Sequence, residues 1–451
     1  MIGRVGLGAV ALLAAPSVHA QEKTETPLHA AVGAPDNLKL SGTFRAQIEG
    51  IDEQFRPNAA RDDRLLTFRT TIAAEYDTGP VRFGAELWDA RGYLEKRDSS
   101  AGTSEVNALE LVQAYVGLDL NSDTTVDAGR MTLDIGSRRL VSRQNFRNTT
   151  NAFTGVHLHH EQEGGSRFDA FWTMPQMRLP SDRDGVLSNH VVFDRETDDL
   201  QFFGASYEIP VGSNLRLEAF TYGLVERDAP QYLTANRHLA TPGVRLHRKP
   251  AKRVLDLDLE YEGQIGKARA STNPADIVDH RVRAWAGHAE IGYTFGSAWQ
   301  PRVAVLYDQG SGNGSSDHIG RFDTLYGARS FELNPTSLYG VLSRSNAMTP
   351  GVRVEAKPSN RWDGFAMYRA LWLASATDAF GASSVRDPSG RSGRFAGQQV
   401  EGRVRYWIVP KIAQIDAGAA ILFKGRFLRD APNAPSTGNT RYGYLSFNLN
   451  F

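Results

Sequence analysis

Leu38 to Gly50 reads LKLSGTFRAQIEG. In an extended chain Leu38, Leu40, Phe44, Ala46 and Ile48 fall on one face, and Lys39, Ser41, Thr43, Arg45, Gln47 and Glu49 on the other. Sustained over the whole stretch, this alternation is longer than an ordinary globular strand needs. It suits a tilted strand crossing a bilayer, apolar towards lipid and polar towards water. The pattern recurs downstream. Leu66, Phe68, Ile72, Ala74 and Tyr76 alternate with Thr67, Arg69, Thr71 and Glu75. After the tight turn Asp77-Thr78-Gly79-Pro80, the residues Val81, Phe83, Ala85 and Leu87 alternate with Arg82, Gly84 and Glu86.

Between such segments, short turns alternate with long polar loops (52–63, 89–105), the rhythm of an outer-membrane barrel with tight periplasmic turns and long external loops. Further strands are predicted near 109–118, 124–129, 153–160, 167–173, 201–209, 214–222, 243–247, 255–265, 283–295, 301–307, 352–356, 362–373, 399–407 and 415–423. The final strand, RYGYLSFNLNF at Arg441–Phe451, ends on Phe in phase with Leu445, Phe447 and Leu449. That ending resembles the assembly signal of bacterial outer-membrane proteins. The expected fold class is all-β: one transmembrane antiparallel β-barrel of about 16–18 strands, wide enough for an aqueous lumen.

Composition agrees. The mean hydropathy of -0.38 excludes a bundle of transmembrane helices but not a barrel, where only alternate residues face lipid. Lys plus Arg number 51 and Asp plus Glu 51, so no global charge supports nucleic-acid binding. The chain has no Cys, which removes disulfides, zinc-thiolate sites and thiol nucleophiles. Residues 1–20, MIGRVGLGAVALLAAPSVHA, read as a signal peptide: Arg4 is the positive end, Val5 to Ala15 the short apolar run, and Val18-His19-Ala20 the cleavage site. Residues 21–37 read as a flexible lead-in and 38–451 as the barrel. The expected location is the outer membrane of a Gram-negative bacterium, with outer-membrane lipid around the chain.

Gly129 to Asn148, GRMTLDIGSRRLVSRQNFRN, sets Arg130, Arg138, Arg139, Arg143 and Arg147 against one acid, Asp134. Such a run repels itself unless an anion or water lies beside it. Gly129 and Gly136 break it, so it is expected as a basic element at the wall or mouth of the lumen. Arg45, Arg69 and Arg82 project to the polar faces of the first strands, and Arg403 and Arg405 do so in QVEGRVRYW. Closure of a barrel makes the first and last strands neighbours. For any single arginine, pairing with Glu49, Glu75, Glu86 or Glu401 is the competing reading.

Asp256, Asp258, Glu260 and Glu262 alternate with Leu255, Leu257, Leu259 and Tyr261. A lumen-facing ladder accounts for them better than acid–base catalysis, because a charge facing lipid near the midplane costs up to about 2–4 kcal/mol. Arg245, His247 and Arg248 are expected to pair across to it. His157, His159, His160 and Glu161 lack a third ligand at recognisable spacing, so no metal is assigned. Residues 309–316, QGSGNGSS, lack the Lys-Ser/Thr ending of a phosphate-cradling loop. There is no G-x-S-x-G elbow. No enzyme activity and no cofactor are expected; a hydrolase assembled inside the barrel is the minor alternative.

GR-x-x-L-x-x-G-x-R-R-L at Gly129–Leu140, Asn145-Phe146-Arg147-Asn148 and Phe153-Thr154-Gly155-Val156 resemble the signature block of the bacterial alginate export family. Arg321–Gly351, with FDTLYGARSFELNPTSLYG, Tyr368–Asp378 and GQQVEGRVRYW are similar too. The resemblance implies an 18-stranded outer-membrane channel with an arginine-lined constriction that passes an anionic polyuronate. The matching basic residues are Arg138, Arg139 and Arg147, then Arg130; Arg143, in the same run, joins the expected pore lining. Arg45 and Arg69 match by strand position, and Arg403 and Arg405 complete the expected pore lining. Expected partners are an anionic carbohydrate or organic acid and a periplasmic export machinery. A general or uptake porin for small acids is the alternative function.

Overall fold

The computed structural model describes residues 26–451 apart from 230, 231, 315, 316 and 331; the leader read at 1–20 lies outside the described residues. The chain opens with α1 (Pro27–Val32), then runs β1 (Leu38–Asp52), β2 (Asp63–Asp77), β3 (Val81–Tyr93), β4 (Asn107–Asn121), β5 (Thr124–Met131), β6 (Phe153–Glu161) and β7 (Arg167–Pro175). After α2 (Arg183–Leu187) come β8 (Leu200–Gly212), β9 (Leu215–Glu226), β10 (His238–Arg248), β11 (Leu255–Ala268), β12 (His280–Thr294), β13 (Arg302–Gly310), β14 (Ala347–Ala356), β15 (Trp362–Trp372), β16 (Phe395–Val409) and β17 (Ala413–Lys424). α3 (Arg426–Asp430) and β18 (Thr440–Asn450) complete it.

Each strand pairs antiparallel with its neighbours in sequence, and β18 closes on β1 to make one eighteen-stranded barrel. The seam places Ala46 opposite Phe447 and Ile48 opposite Leu445. At its end the Phe451 N–H donates to the Gly42 carbonyl at 2.9 Å, and the Gly42 N–H returns a bond at 2.6 Å. A Cβ on Gly42 would lie 2.3 Å from the Phe451 ring, so glycine makes room for the terminal aromatic. The side-chain alternation holds around the barrel. Ile48, Ile72, Phe83, Leu87, Leu255 and Tyr261 are exposed to the outside, while Gln47, Glu49, Thr67, Thr71, Asp256 and Glu260 are buried within.

Short turns and both ends of the barrel sheet lie at one rim, and long loops lie at the other. The alternation predicted every strand; the loops supplied the rest of the core. Two of them fold into the lumen. Residues 132–152, the arginine loop, bring Leu133, Ile135, Leu140 and Val141 against Phe153, Phe171, Phe202, Phe220 and Phe322. Residues 311–346, the plug loop, bring Leu333, Leu338, Tyr339, Val341 and Leu342 against Phe55, Phe146, Leu371, Phe427 and Tyr442. The two loops join in the lumen through a parallel bridge, Val141 to Tyr326. Tyr326 N–H donates to Leu140 O at 3.0 Å and Ala328 N–H to Arg138 O at 2.9 Å. Gly327 sits between them, and a Cβ there would lie 1.6 Å from the Arg139 carbonyl oxygen. The plug loop has no strand periodicity because its backbone bonds are made to another loop rather than along a ladder.

The lead-in differs from expectation in its described part. Thr26 caps the N-terminus of α1 by accepting from His29 N–H at 3.2 Å, and Gly33 closes it in the left-handed conformation.

Candidate functional site

The arginine loop is shaped by its polar side chains. Asp134 Oδ1 accepts from Ser142 Oγ at 3.0 Å and from Arg143 N–H at 2.8 Å, tying the loop across itself. Gly136, Arg138 and Gln144 all have positive φ and bend it. Asn148, 2% exposed, is the anchor. Its amide donates to the carbonyls of Phe68 at 3.0 Å and Glu105 at 2.9 Å, and its own carbonyl accepts from Trp88 Nε1 at 3.0 Å. Arg45 on β1 and Arg69 on β2 face each other across the strand pair and both donate to Asn145 O, at 3.2 and 3.1 Å. Arg45 also reaches Phe146 O at 2.7 Å and Asn148 Oδ1 at 3.0 Å; Arg69 reaches Arg147 O at 3.2 Å and stacks over the Trp88 ring at 4.9 Å.

The arginines of the run divide into two groups. Arg139, expected to line the pore, has a side chain 3% exposed and enclosed by Asp258 at 3.0 Å, Glu260 at 2.7 Å and Glu332. Glu332 also pairs with Arg344, so a buried ion network ties β11, the arginine loop and the plug loop together. Arg143 pairs with Glu86 at 2.6 Å, and Arg130 with Glu110 at 2.6 Å and Glu196 at 3.1 Å. Arg403 and Arg405 are spent on Asp363 at 3.1 Å and Asp416 at 3.3 Å. Arg82 likewise meets Asp119 and Asp127. Carboxylates from neighbouring strands, and for Arg139 and Arg143 from more distant ones, neutralise these groups, so none is a free anion ligand. Arg138, by contrast, reaches only Asp134 among the described residues, at 4.0 Å.

Arg147 belongs to the second group. Its donors meet Ser104 Oγ at 3.3 Å and Asn151 Oδ1 at 3.2 Å, both neutral. Three arginines that sequence reasoning did not single out join it. Arg178 donates to the same Asn151 oxygen at 2.9 Å and to Thr103 O at 3.0 Å. Arg56 donates to Leu338 O at 2.8 Å and Tyr339 O at 2.6 Å, and Arg329 to Leu342 O at 3.3 Å. Burial, and after it the neighbouring Arg178 cation, pushes the Arg147 pKa well down; burial and then Arg344 lower Arg329 to about 10, and burial and then Arg329 lower Arg56 to about 10. A guanidinium stays charged at physiological pH, so such a site favours an arriving anion. Glu105, the acid beside Arg147, is itself pushed up to about 7 by burial and supplies an incomplete counter-charge. The four arginines come from four different loops, so no single local motif groups them. Of the three not singled out, Arg329 lay in a stretch that carried the resemblance.

The acid ladder faces the lumen as expected. Arg245 holds Asp258 with two bonds of 2.8 Å, while His247 turns instead to Glu208 at 2.7 Å. His157 and His159 both meet Asp169, at 3.0 and 2.9 Å.

The model of the alginate export family matches residues 36–442. No curated protein sequence matches the chain. Among solved structures, OccAB2 of Acinetobacter baumannii aligns with a TM-score of 0.60 at 13% identity over 92% of this chain and 98% of that one. OccAB1 of the same organism gives 0.59 at 15% identity, covering 92% and 97%. OccK8 (OprE) of Pseudomonas aeruginosa gives 0.59 at 12% identity, covering 92% and 98%. At these identities the likeness concerns the fold. Family and barrel together place the chain in the outer membrane of a Gram-negative bacterium, as a channel, with the long-loop rim outside.

Proposed function

The chain belongs to the alginate export family of outer-membrane channels, and from that premise we propose that it exports an anionic polysaccharide of the polyuronate class. One observation supports this above the others: among the described residues, Arg45, Arg56, Arg69, Arg147, Arg178 and Arg329 donate to neutral oxygens and form no ion pair. A carboxylated chain entering the lumen loses hydration. Guanidinium donors replace that hydration at several weak sites, so each sugar acid is held and released in turn. Arg138 extends the row. The chain has no phosphate-cradling loop, so transport follows a gradient or a push from the periplasmic side.

Uptake of small organic or sugar acids is the second reading, favoured by how fully the two joined loops pack the lumen. Bilayer conductance discriminates. Export predicts anion-selective current blocked by polyuronate oligomers, increasingly with length, and not by neutral dextran. Permeation by glucuronate with no block by longer oligomers would favour uptake. A current without anion preference would remove the arginine route from both.

A further inference from the structure

We propose that the outer wall of β9–β12, at the long-loop rim, binds the phosphates of the glycolipid that forms the outer leaflet, lipid A. The proposal concerns the outside of the barrel and does not depend on what the pore carries. Arg281 and Arg283 are exposed while Val282 and Ala284 beside them are buried, so both arginines point away from the lumen. Lys267 stands directly opposite Arg281 on β11, and His238 directly opposite Lys267 on β10. Arg227, exposed just past the end of β9, extends the row. The backbone displaying it is fixed: Ile319 of the plug loop donates to Arg281 O at 2.8 Å and accepts from Arg283 N–H at 3.0 Å.

Like charges directly opposite on adjacent strands destabilise a sheet. Here Lys267 faces Arg281, with Arg283 one step deeper on the same lipid-facing side. Among the described residues no ion pair reaches Arg281 or Arg283: Asp279 is held by Lys267 at 2.8 Å and by Asn236 at 3.1 Å, and the Asp317 carboxylate meets His318 at 2.8 Å. Asp279, His280, Arg281, Arg283, Asp317 and His318 line a cavity of about 290 Å³ at this rim. Immediately below the cations the wall turns apolar, with Ile265, Tyr261 and Trp285 exposed. Ile277, 80% exposed, and Val278 project from the loop just above. A ligand suited to this surface carries negative charge at the rim and hydrocarbon beneath it. A phosphorylated outer-leaflet lipid has that order; a soluble phosphate lacks the second part.

The test uses the full-length protein in detergent, titrated with bisphosphorylated lipid A, with the same lipid stripped of phosphate, and with inorganic phosphate, read by native mass spectrometry. Heat-modifiable electrophoretic mobility confirms that each variant is a folded barrel. The triple variant Lys267→Ala, Arg281→Ala, Arg283→Ala should bind the phosphorylated lipid about a hundredfold more weakly, as the loss of three cations implies. The charge-matched variant Arg64→Ala, Arg91→Ala, Arg441→Ala elsewhere on the rim should bind like the parent. If the triple variant does not fold, Arg283→Gln alone should still weaken binding measurably. Equal binding by the triple or single variant, equal binding of the dephosphorylated lipid, or displacement by inorganic phosphate at comparable concentration would each overturn the proposal.

Discussion

Replacing Arg139 with methionine should loosen the lumen rather than change its selectivity. The side chain is 3% exposed and meets Asp258, Glu260 and Glu332 at once, so the substitution leaves three carboxylates without their shared cation. Removing one partner of a buried ion network typically costs about 3–5 kcal/mol. Asp258 and Glu260 belong to the rigid wall and Asp258 keeps Arg245; Glu332 belongs to the plug loop. If half the cost, about 2 kcal/mol, falls on loop docking, the undocked population rises about thirtyfold, since about 1.4 kcal/mol is a tenfold change. In single-channel recordings that is a large rise in transitions to higher conductance, with anion preference retained. Arg147→Gln should do the reverse: reduced anion preference at unchanged conductance levels. pH gives a second check on the latch. Burial would raise the Glu332 pKa, but Arg139 and Arg344 outweigh it and hold it at about 2, below its ordinary 4.5. A depressed carboxyl stabilises the folded state above 4.5 and loses that contribution as pH falls towards 2. Openings in the parent should therefore increase only in acid, below pH 4.5. Loss of anion preference in Arg139→Met without added openings would refute the division of the run into latch and lining.

Glu105 has the opposite sign: its pKa is raised from 4.5 to about 7, so the stability of its neutral form is full below 4.5 and is lost as pH rises through 7. Glu105→Gln should flatten the thermal midpoint across that window, as read by heat-modifiable mobility. Gly327→Val should undock the plug loop, because any Cβ there meets the Arg139 carbonyl; limited proteolysis of the loop in folded barrels would detect it. Asn148→Ala should cost about 1–3 kcal/mol or more by orphaning buried carbonyls and the Arg45 guanidinium. An unchanged midpoint in urea would refute its anchoring role.

The barrel was legible because lipid on one side and water on the other impose a period of two wherever a strand crosses, and residues 38–50 keep that period. The loops escaped the same reading because their environment is the inside of the barrel. Leu338 and Tyr339 are apolar because they meet Phe55 and Tyr442, both far away in sequence. The same holds for the charges. Arg139 and Arg147 are alike in the sequence, in one run with one local acid. What separates them is that Glu260 and Glu332 form ion pairs with the first, whereas the second donates to a hydroxyl and an amide oxygen beside a Glu105 that burial pushes towards its neutral form. The acid ladder was visible and was the one available hint that part of the basic run would be consumed.

That partition has a consequence for the field inside the channel. β11 stands half the ring away from β2. On the β11 wall three of the four acids carry cations: Asp256 has Arg302, Asp258 has Arg245 and Arg139, and Glu260 has Arg139. On the β1–β2 wall, Arg45 and Arg69 have carbonyls, and the carbonyls belong to the loop that also presents Arg147. Ion-paired acids on one wall and guanidinium groups held by neutral oxygens on the other give a transverse field although the whole chain sums to zero charge. On the proposed export reading, a carboxylated solute would be drawn to one side of the lumen rather than centred in it, its carboxylates towards Arg69 and Arg147 and its hydroxyls towards the paired wall. Neutralising Arg69 and Arg147 together should therefore reduce anion preference more than neutralising Arg403 and Arg405, although each pair removes the same formal charge.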